Sequence, residues 1–571
     1  MKNRLVARIL YEIADLLEME GVAFKPRAYR RAAQAVESCP VPVEDLVATG
    51  KLNELPGVGK AIAGKIEEIV KTGKLAYHEE LKKKLPIDLF SLTKVDGIGP
   101  KTAKLLYDVL GVRTLDDLEQ AARSGRIQKV KGLGKKTEER ILRGLAEARR
   151  TEARMLLGHA YPIADDLQRR LRKTGLFTRL EVAGSLRRGR ETIGDLDILG
   201  IASDPERAAE AFVSLSDVEE VLAHGPKKSS VRLSSGLQVD LRIVPQESFG
   251  AALQYFTGSK AHNIALRKRA VAREWKLNEY GLFDETGKVL AGKTEEDIYT
   301  RLGLLFIPPE LREDQGEIAA AEAGTLPNLV ELSDIRGDLH VHTDWSDGKA
   351  PLAVMAAEAQ KRGLSYIAVT DHAKFSEMVR GLTPDDIRRQ IDEIARLNEE
   401  LDGFRIFTGI EANILPDGSL DLPNEILRQL DIVVASVHSH LHLDRTAMTN
   451  RLIRAVENEH VFILAHPTGR KIGEHPAYDA DWDKVFRRAA SAGTAVEINA
   501  NPIRLDLNGE LACRAIEFGV RITIDTDAHD PTHFDFLKLG VITARRGWVE
   551  KSNVINTLSS GELLVQAQTK K

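Results

Sequence analysis

Three patterns of apolar and polar positions follow one another along this chain. Up to about residue 150, apolar side chains recur every three or four residues in short runs broken by glycines, which predicts a series of small amphipathic helices. Between 151 and 316 such helices are mixed with strand-like runs, among them RLEVAGS at 179–185, DLDILGIA at 195–202 and LQVDLRIV at 237–244. The stretch 308–335 carries Pro308, Pro309, an acidic and alanine-rich segment, Gly324 and Pro327, and reads as a linker. From Gly337 onward apolar strands and helices alternate regularly, as in an α/β barrel. The expected fold class is therefore multidomain: all-α first, α+β in the centre, and an α/β barrel last.

Length and composition narrow the function classes. At 571 residues there is room for three or four domains of about 150 residues each. No run of eighteen apolar residues occurs and the first turn is charged, so neither a membrane span nor a secretory signal is expected, and the cytoplasm is the expected location. Cys39 and Cys513 are the two cysteines, and their separation argues against a disulfide framework or a thiolate metal cage. The net charge of −4 conceals an uneven distribution: +8 over residues 1–150, −1 over 151–316 and −11 from 317 on. A basic opening segment suits a polyanion such as nucleic acid. Histidine is skewed the other way, with 11 of 15 lying after residue 317.

The basic segment repeats one signal, LPGVGK at 55–60, VDGIGPK at 95–101 and VKGLGKK at 130–136. Glycines permit a tight turn whose amides, with the N-terminus of the following helix, can cradle a phosphate. Three copies with trailing lysines resemble helix-hairpin-helix clamps, which hold the DNA backbone without reading its sequence. Gly57, Gly59, Lys60, Gly97, Gly99 and Lys101 are the expected contacts.

In the central segment Gly184-Ser185-Leu186-Arg187-Arg188-Gly189-Arg190 precedes Gly194-Asp195-Leu196-Asp197. On a strand, Asp195 and Asp197 project from one face. Two carboxylates that close are costly unless cations share them. With Asp240 on another strand-like run, they form a set able to hold two Mg²⁺ or Mn²⁺ ions for an in-line phosphoryl displacement. The Gly184–Ser185 turn and Arg188 are placed to bind a triphosphate.

This stretch resembles the family X DNA polymerases, including vertebrate polymerase beta, through Gly-Ser-x-x-Arg-Arg-Gly and Gly-Asp-x-Asp. The resemblance continues through Tyr255-Phe256-Thr257-Gly258-Ser259, Asn263, Arg267 and Asn278-Glu279-Tyr280-Gly281-Leu282. It implies that Asp195, Asp197 and Asp240 are metal ligands, with Asp240 nearest the primer 3′-hydroxyl. Tyr255 and Phe256, with Gly258, would lie beside the incoming sugar, and Asn263 at the base edge. Arg242 and Arg267 would contact DNA. This chain departs from the vertebrate pattern at Lys260, where an aspartate stands, and at Ala160, where an arginine stands, so Lys260 is expected to supply a triphosphate cation.

The N-terminal segment similarly resembles the family's lyase domain at Lys25, Ala28-Tyr29-Arg30-Arg31 and Lys65, which places Lys25 and Tyr29 among the DNA contacts. Lys65 is either a Schiff-base nucleophile toward a sugar aldehyde or a phosphate contact. Ala61 replaces a further lysine of that pattern.

Seven strand-like runs fill the last third, and metal-binding side chains close nearly all of them. In a barrel of parallel strands the C-terminal ends converge on one face. That would gather His340, His342, Asp347, His372, Glu411, His438, His466, Asp527 and His529. Nine N/O ligands exceed one tetrahedral ion, so two or three ions are expected, from Mn²⁺, Zn²⁺ and Fe²⁺. His440 and His442 lie beyond the strand end and are left out of the set. The motifs H-x-H, T-D-H, G-I-E, S-V-H, A-H-P and D-A-H resemble, in order, the polymerase and histidinol phosphatase (PHP) domain, which implies a distorted (β/α)7 barrel with 3′–5′ exonuclease, AP endonuclease or 3′-end-processing chemistry.

Nearly the whole chain resembles bacterial and archaeal family X polymerases with a C-terminal PHP domain. The implied division is a lyase-like domain at 1–85, a fingers-type helix-hairpin-helix subdomain at 86–150, a palm at 151–245, a thumb-like subdomain at 246–316, a linker at 317–335 and the PHP domain at 336–571. The implied enzyme is a monomer that fills gapped or nicked duplex DNA with dNTPs. The alternative is a PHP-type nuclease or phosphatase whose polymerase-like part only binds gapped DNA.

Overall fold

The computed structural model describes residues 3–20, 22, 24–37, 43–84, 86–93, 95, 97–152, 154–374 and 381–570; Cys39 lies outside them. Two compact units divide the chain near residue 153. The first is all-helical, and its apolar stripes meet in one core that includes Leu10, Ile13, Ile66 and Leu106. Its three glycine hairpins share one construction. Gly57, Gly97 and Gly132 have φ of 82°, 90° and 93°, a region that an L side chain enters only with strain. Gly59 and Gly99 then cap the helices Lys60–Thr72 and Pro100–Leu110.

The second unit begins with a five-stranded sheet in the order Phe177–Val182, Asp195–Ala202, Gln238–Ile243, Lys228–Leu233, Val218–Ala223. Asp195–Ala202 runs parallel to Gln238–Ile243, with Asp197 directly opposite Asp240. Buried Leu196, Ile198, Val239 and Leu241 tie this sheet to the helix Leu157–Lys173, and the alternate residues of the first strands leave the carboxylates on the other side. A helical subdomain with a small three-stranded sheet follows; Tyr299, Leu266 and Ile298 are in its core.

The barrel holds seven parallel strands in sequence order, from Gly337–Val341 to Ile522–Asp525. Tyr366–Val369 and Ile432–Ser436 read as nearly unbroken apolar runs because both faces are covered. A bridge between Val341 and Ala528, and the His342 amide donating to the Ala528 carbonyl at 2.9 Å, join the first strand to the segment after the last. Among the described residues no helix is long and apolar enough to cross a membrane.

The stretch 317–335 differs from a linker. It opens with the helix Glu317–Ala323, and buried Glu317 lies 2.6 Å from His262 Nδ1. Val330 donates to the Val549 carbonyl at 3.0 Å. Its alanines and acids look solvated in sequence, but His262 partners Glu317 and the 549 segment partners Val330, both distant along the chain. The barrel also packs on the palm: Leu505 and Leu539 are fully or nearly fully buried in the palm core, each contributing ~1.5–3 kcal/mol by burial.

Candidate active sites

The palm site is built by the register of two strands. Because Asp197 faces Asp240 across the sheet and Asp195 lies two residues earlier, all three carboxylates share one side. Burial, then the charges of Asp195 and Asp240, push the Asp197 carboxyl up to about 6. Burial also acts against ionised Asp240, but Lys228 at 2.9 Å and Gln238 at 3.0 Å, with Ser230, hold it below the usual range. A buried carboxylate that stays costly until a cation arrives fits a divalent-ion site.

The adjoining turn is pressed against these acids. Gly184 has φ 63°, and a Cβ there would overlap Asp197 Oδ2. Ser185 Oγ is buried with no hydrogen-bond partner among the described residues, an orphan that a ligand oxygen can satisfy. Arg188 donates to Glu313 at 3.1 Å and to the Thr257 carbonyl. Phe256 lies edge-on to Tyr255 and beneath the Arg242 guanidinium, 4.2 Å from ring centre. Arg242 therefore packs against the site's aromatic wall. Asn263 does not face out: its amide donates to the Tyr255 carbonyl at 2.8 Å and accepts from Gln254 at 2.7 Å. Lys260 and Arg267 are exposed, and Gly258 is buried.

The barrel site gathers side chains from all but one strand. Glu411 is its hub, within 3.6 Å of His340, His342, His372, His438 and His466. Asp347 lies 3.2–3.7 Å from His342, His372 and His529, while Asp527 Oδ1 is 3.2 Å from His342 and 3.5 Å from His529. Three overlapping groups have ligand atoms mutually within 4.8 Å: His342, Asp347, His372 and His529; His340, His342 and Asp527; His372, Glu411 and His438. Several buried imidazole nitrogens there, including His340 Nε2 and both nitrogens of His342, have no hydrogen-bond partner among the described residues. Such orphans are expensive unless a cation takes them. The donor set thus fits a cluster of divalent ions.

Electrostatics agree. Burial opposes the charge of Asp347, Glu411 and Asp527, yet neighbouring imidazoles hold all three carboxyls well below the ordinary range. His342, crowded by His529 and His372 after desolvation, falls to about 4. Exposed His440 and His442 stand outside the groups.

The comparisons run parallel to this geometry. Residues 1–75 match a helix-hairpin-helix domain, 90–147 a SAM-like helix-hairpin-helix tandem, 252–313 the DNA polymerase beta thumb, and 338–500 the PHP domain. The DNA polymerase/3′-5′ exonuclease PolX of Bacillus subtilis (strain 168) is 39% identical over 563 residues, covering 98% of both chains. The chain belongs to the family X DNA polymerases that carry a PHP domain. Barrel relatives also include a protein described as a probable phosphatase from Caldanaerobacter subterraneus, 34% identical over 204 residues, which covers 34% of this chain and 75% of the relative.

In the N-terminal unit the surroundings of Lys65 are aromatic. Lys65 Nζ lies 4.7 Å over the Tyr77 ring, and Tyr77 stacks on Tyr29. Tyr29 is only 8% exposed, packed beneath Tyr77. Lys25, Gly57, Gly59, Lys60, Gly99 and Lys101 are exposed, and Gly97 is half-buried.

Sequence reasoning missed Glu497 in this PHP site. It lies fully buried on the one strand without an expected ligand, 2.7 Å from His340 Nδ1, and accepts the His466 amide at 2.5 Å. Holding Nδ1 turns Nε2 toward the cluster, the tautomer control that outer carboxylates give ligating histidines. The available signal was an acid inside the buried run Ala495–Asn499. Glu497→Gln sets an amide donor against one of these partners, so metal affinity and degradation should each fall by about 10–100-fold. Mn²⁺ titration of purified protein checks this; wild-type affinity would rule out the orienting role.

Proposed function

We propose that this chain fills short gaps in DNA by template-directed nucleotidyl transfer and hydrolyses DNA phosphodiesters from the 3′ end at its barrel. The observation that carries the reading is the palm register, with Asp197 opposite Asp240 and the Gly184 turn pressed on Asp197. A module that only bound DNA would have no need for three converging acids beside a phosphate loop. The B. subtilis relative, described as a polymerase and 3′-5′ exonuclease, supports both halves.

Divalent ions, Mg²⁺ or Mn²⁺ in the palm and two or three of Mn²⁺, Zn²⁺ or Fe²⁺ in the barrel, supply Lewis-acid charge stabilisation when bound. The protein's own groups do the positioning. Asp240 takes the side nearest the primer 3′-hydroxyl, where Lys228 and Gln238 hold its two oxygens before substrate arrives. The Gly184–Ser185 turn, Arg188 and Lys260 receive the triphosphate, and the Tyr255–Phe256 wall excludes a ribose hydroxyl. The glycine hairpins grip the backbone of gapped or nicked duplex. The enzyme works as a cytoplasmic monomer, and AP-site cleavage or removal of 3′ blocks falls within the barrel's reach.

A gapped duplex with a 5′-phosphate, dNTPs and Mn²⁺ tests the reading, with extension and degradation followed on one primer. Wild type should do both. Degradation without any extension would leave the nuclease whose palm only binds DNA; release of phosphate from small monoesters alone would favour the phosphatase. Lys260→Ala should raise the dNTP KM by about tenfold, the scale of one charge-assisted contact. Unchanged nucleotide affinity would remove Lys260 from the triphosphate site.

A further inference from the structure

The loop from Arg187 to Arg190 continues the Gly184–Ser185 turn, and its back rests on the barrel. Gly189 has φ 63°, and a Cβ there would overlap Ile542 Cγ2. Ile542 belongs to the barrel helix Leu537–Arg546, which follows the strand leading to Asp527 and His529. The helix's last residue, Arg546, is 14% exposed; it donates to the Arg188 carbonyl at 2.7 Å and to Glu313 Oε1 at 3.1 Å. That same oxygen accepts from Arg188 Nε at 3.1 Å and lies 3.7 Å from Arg190. One carboxylate thus serves three guanidiniums, two from the palm loop and one from the barrel. Burial acts against ionised Glu313, but Arg188, Arg546 and Arg190 together hold its carboxyl below the usual range.

A cluster with more cations than carboxylates, in which Arg188, Arg546 and Glu313 are largely buried and Arg190 is about half exposed, is costly by itself and is relieved by an anion. The anion this loop meets in the proposed reaction is a triphosphate. We infer that Arg546, a barrel residue, is a positioning residue of the polymerase nucleotide site: through the Arg188 carbonyl and Glu313 it fixes the loop that receives the triphosphate. The inference rests on the reading of Arg188 as a triphosphate ligand. It makes the barrel part of the polymerase, apart from any hydrolysis the barrel performs. The loop has a second clamp, from Arg187 to Thr257 Oγ1 at 2.7 Å and to Glu295 at 2.6 Å. Loss of Arg546 therefore loosens the loop's position without freeing it altogether.

Single-nucleotide gap filling by the full chain tests this, with dNTP KM and kcat measured for wild type, Arg546→Met, Arg546→Lys and Arg188→Ala, and thermal unfolding alongside. Arg546→Met should raise the dNTP KM about tenfold with kcat within about twofold, a change equivalent to ~1.4 kcal/mol of nucleotide binding. Arg546→Lys should recover most of that, because an ammonium still donates to both oxygens. If Arg188→Ala raises KM and Arg546→Met does not, the positioning role is overturned. If Arg188→Ala itself leaves KM unchanged, the triphosphate reading of the loop fails first. Should Arg546→Met not fold, Gly189→Ala carries the test: its KM should rise, and adding Ile542→Ala should recover part of the loss. No recovery would overturn the role of the barrel wall.

Discussion

Replacing Asp195 and Asp197 by alanine is expected to reduce primer extension by about a thousandfold or more, while the same protein continues to degrade the primer. The magnitude follows from removing two of three carboxylates that share one face of the palm sheet, since metal ions at such a site supply several kcal/mol of charge stabilisation. The selectivity follows from composition: none of the nine residues expected to hold metal in the barrel comes from the palm. Acid should affect the same site in a predictable direction. With its carboxyl near 6, Asp197 must lose a proton before a divalent ion binds. Metal affinity at the palm should therefore be level above about pH 6 and fall as pH drops below it. Extension by the double variant at near the wild-type rate would remove the aspartates from the chemistry.

Much of both sites was legible in sequence because their residues announce themselves by type and spacing. Two aspartates at i and i+2 share a strand face whatever surrounds them. Histidines ending successive apolar runs converge once those runs form parallel strands. What stayed hidden depends on partners far along the chain. Glu497 sits in an apolar run whose meaning is set by His340, 157 residues earlier. The stretch 317–335 looked like a linker because nothing local reveals that Glu317 serves His262. Tyr29 carries the pattern of a lyase domain, yet Tyr77 covers it. Asn263 has the amide of a base-reading residue, and in this structure Gln254 and the Tyr255 carbonyl occupy it. The joint between palm and barrel was likewise invisible: Arg470 meets Glu191 at 2.7 Å across 279 residues of sequence. Periodicity reports the face a residue occupies, and ion pairs between distant segments leave no periodic trace.

Glu411→Gln is expected to abolish degradation, by about a thousandfold or more, while primer extension stays at the wild-type level. Glu411 is the acid that reaches five imidazoles, with Oε1 toward His438 and His466 and Oε2 toward His340, His342 and His372. Desolvation works against its charge, and His372, His438 and His340 still keep its carboxyl well below the usual range. The neighbouring imidazoles thus favour a buried negative charge at Glu411, which would let more than one cation share this small pocket. An amide preserves the volume but removes that charge and turns one oxygen into a donor aimed at ring nitrogens. Cations brought together without it repel one another in a low-dielectric pocket. Bound metal per chain, measured on purified protein, should fall by about one ion or more. Metal content and degradation, measured together, then separate two explanations. If Glu411→Gln keeps its full metal content and still loses degradation, the carboxylate acts on substrate. If it keeps both, the hub is structural and the hydrolytic site lies among the groups around Asp347.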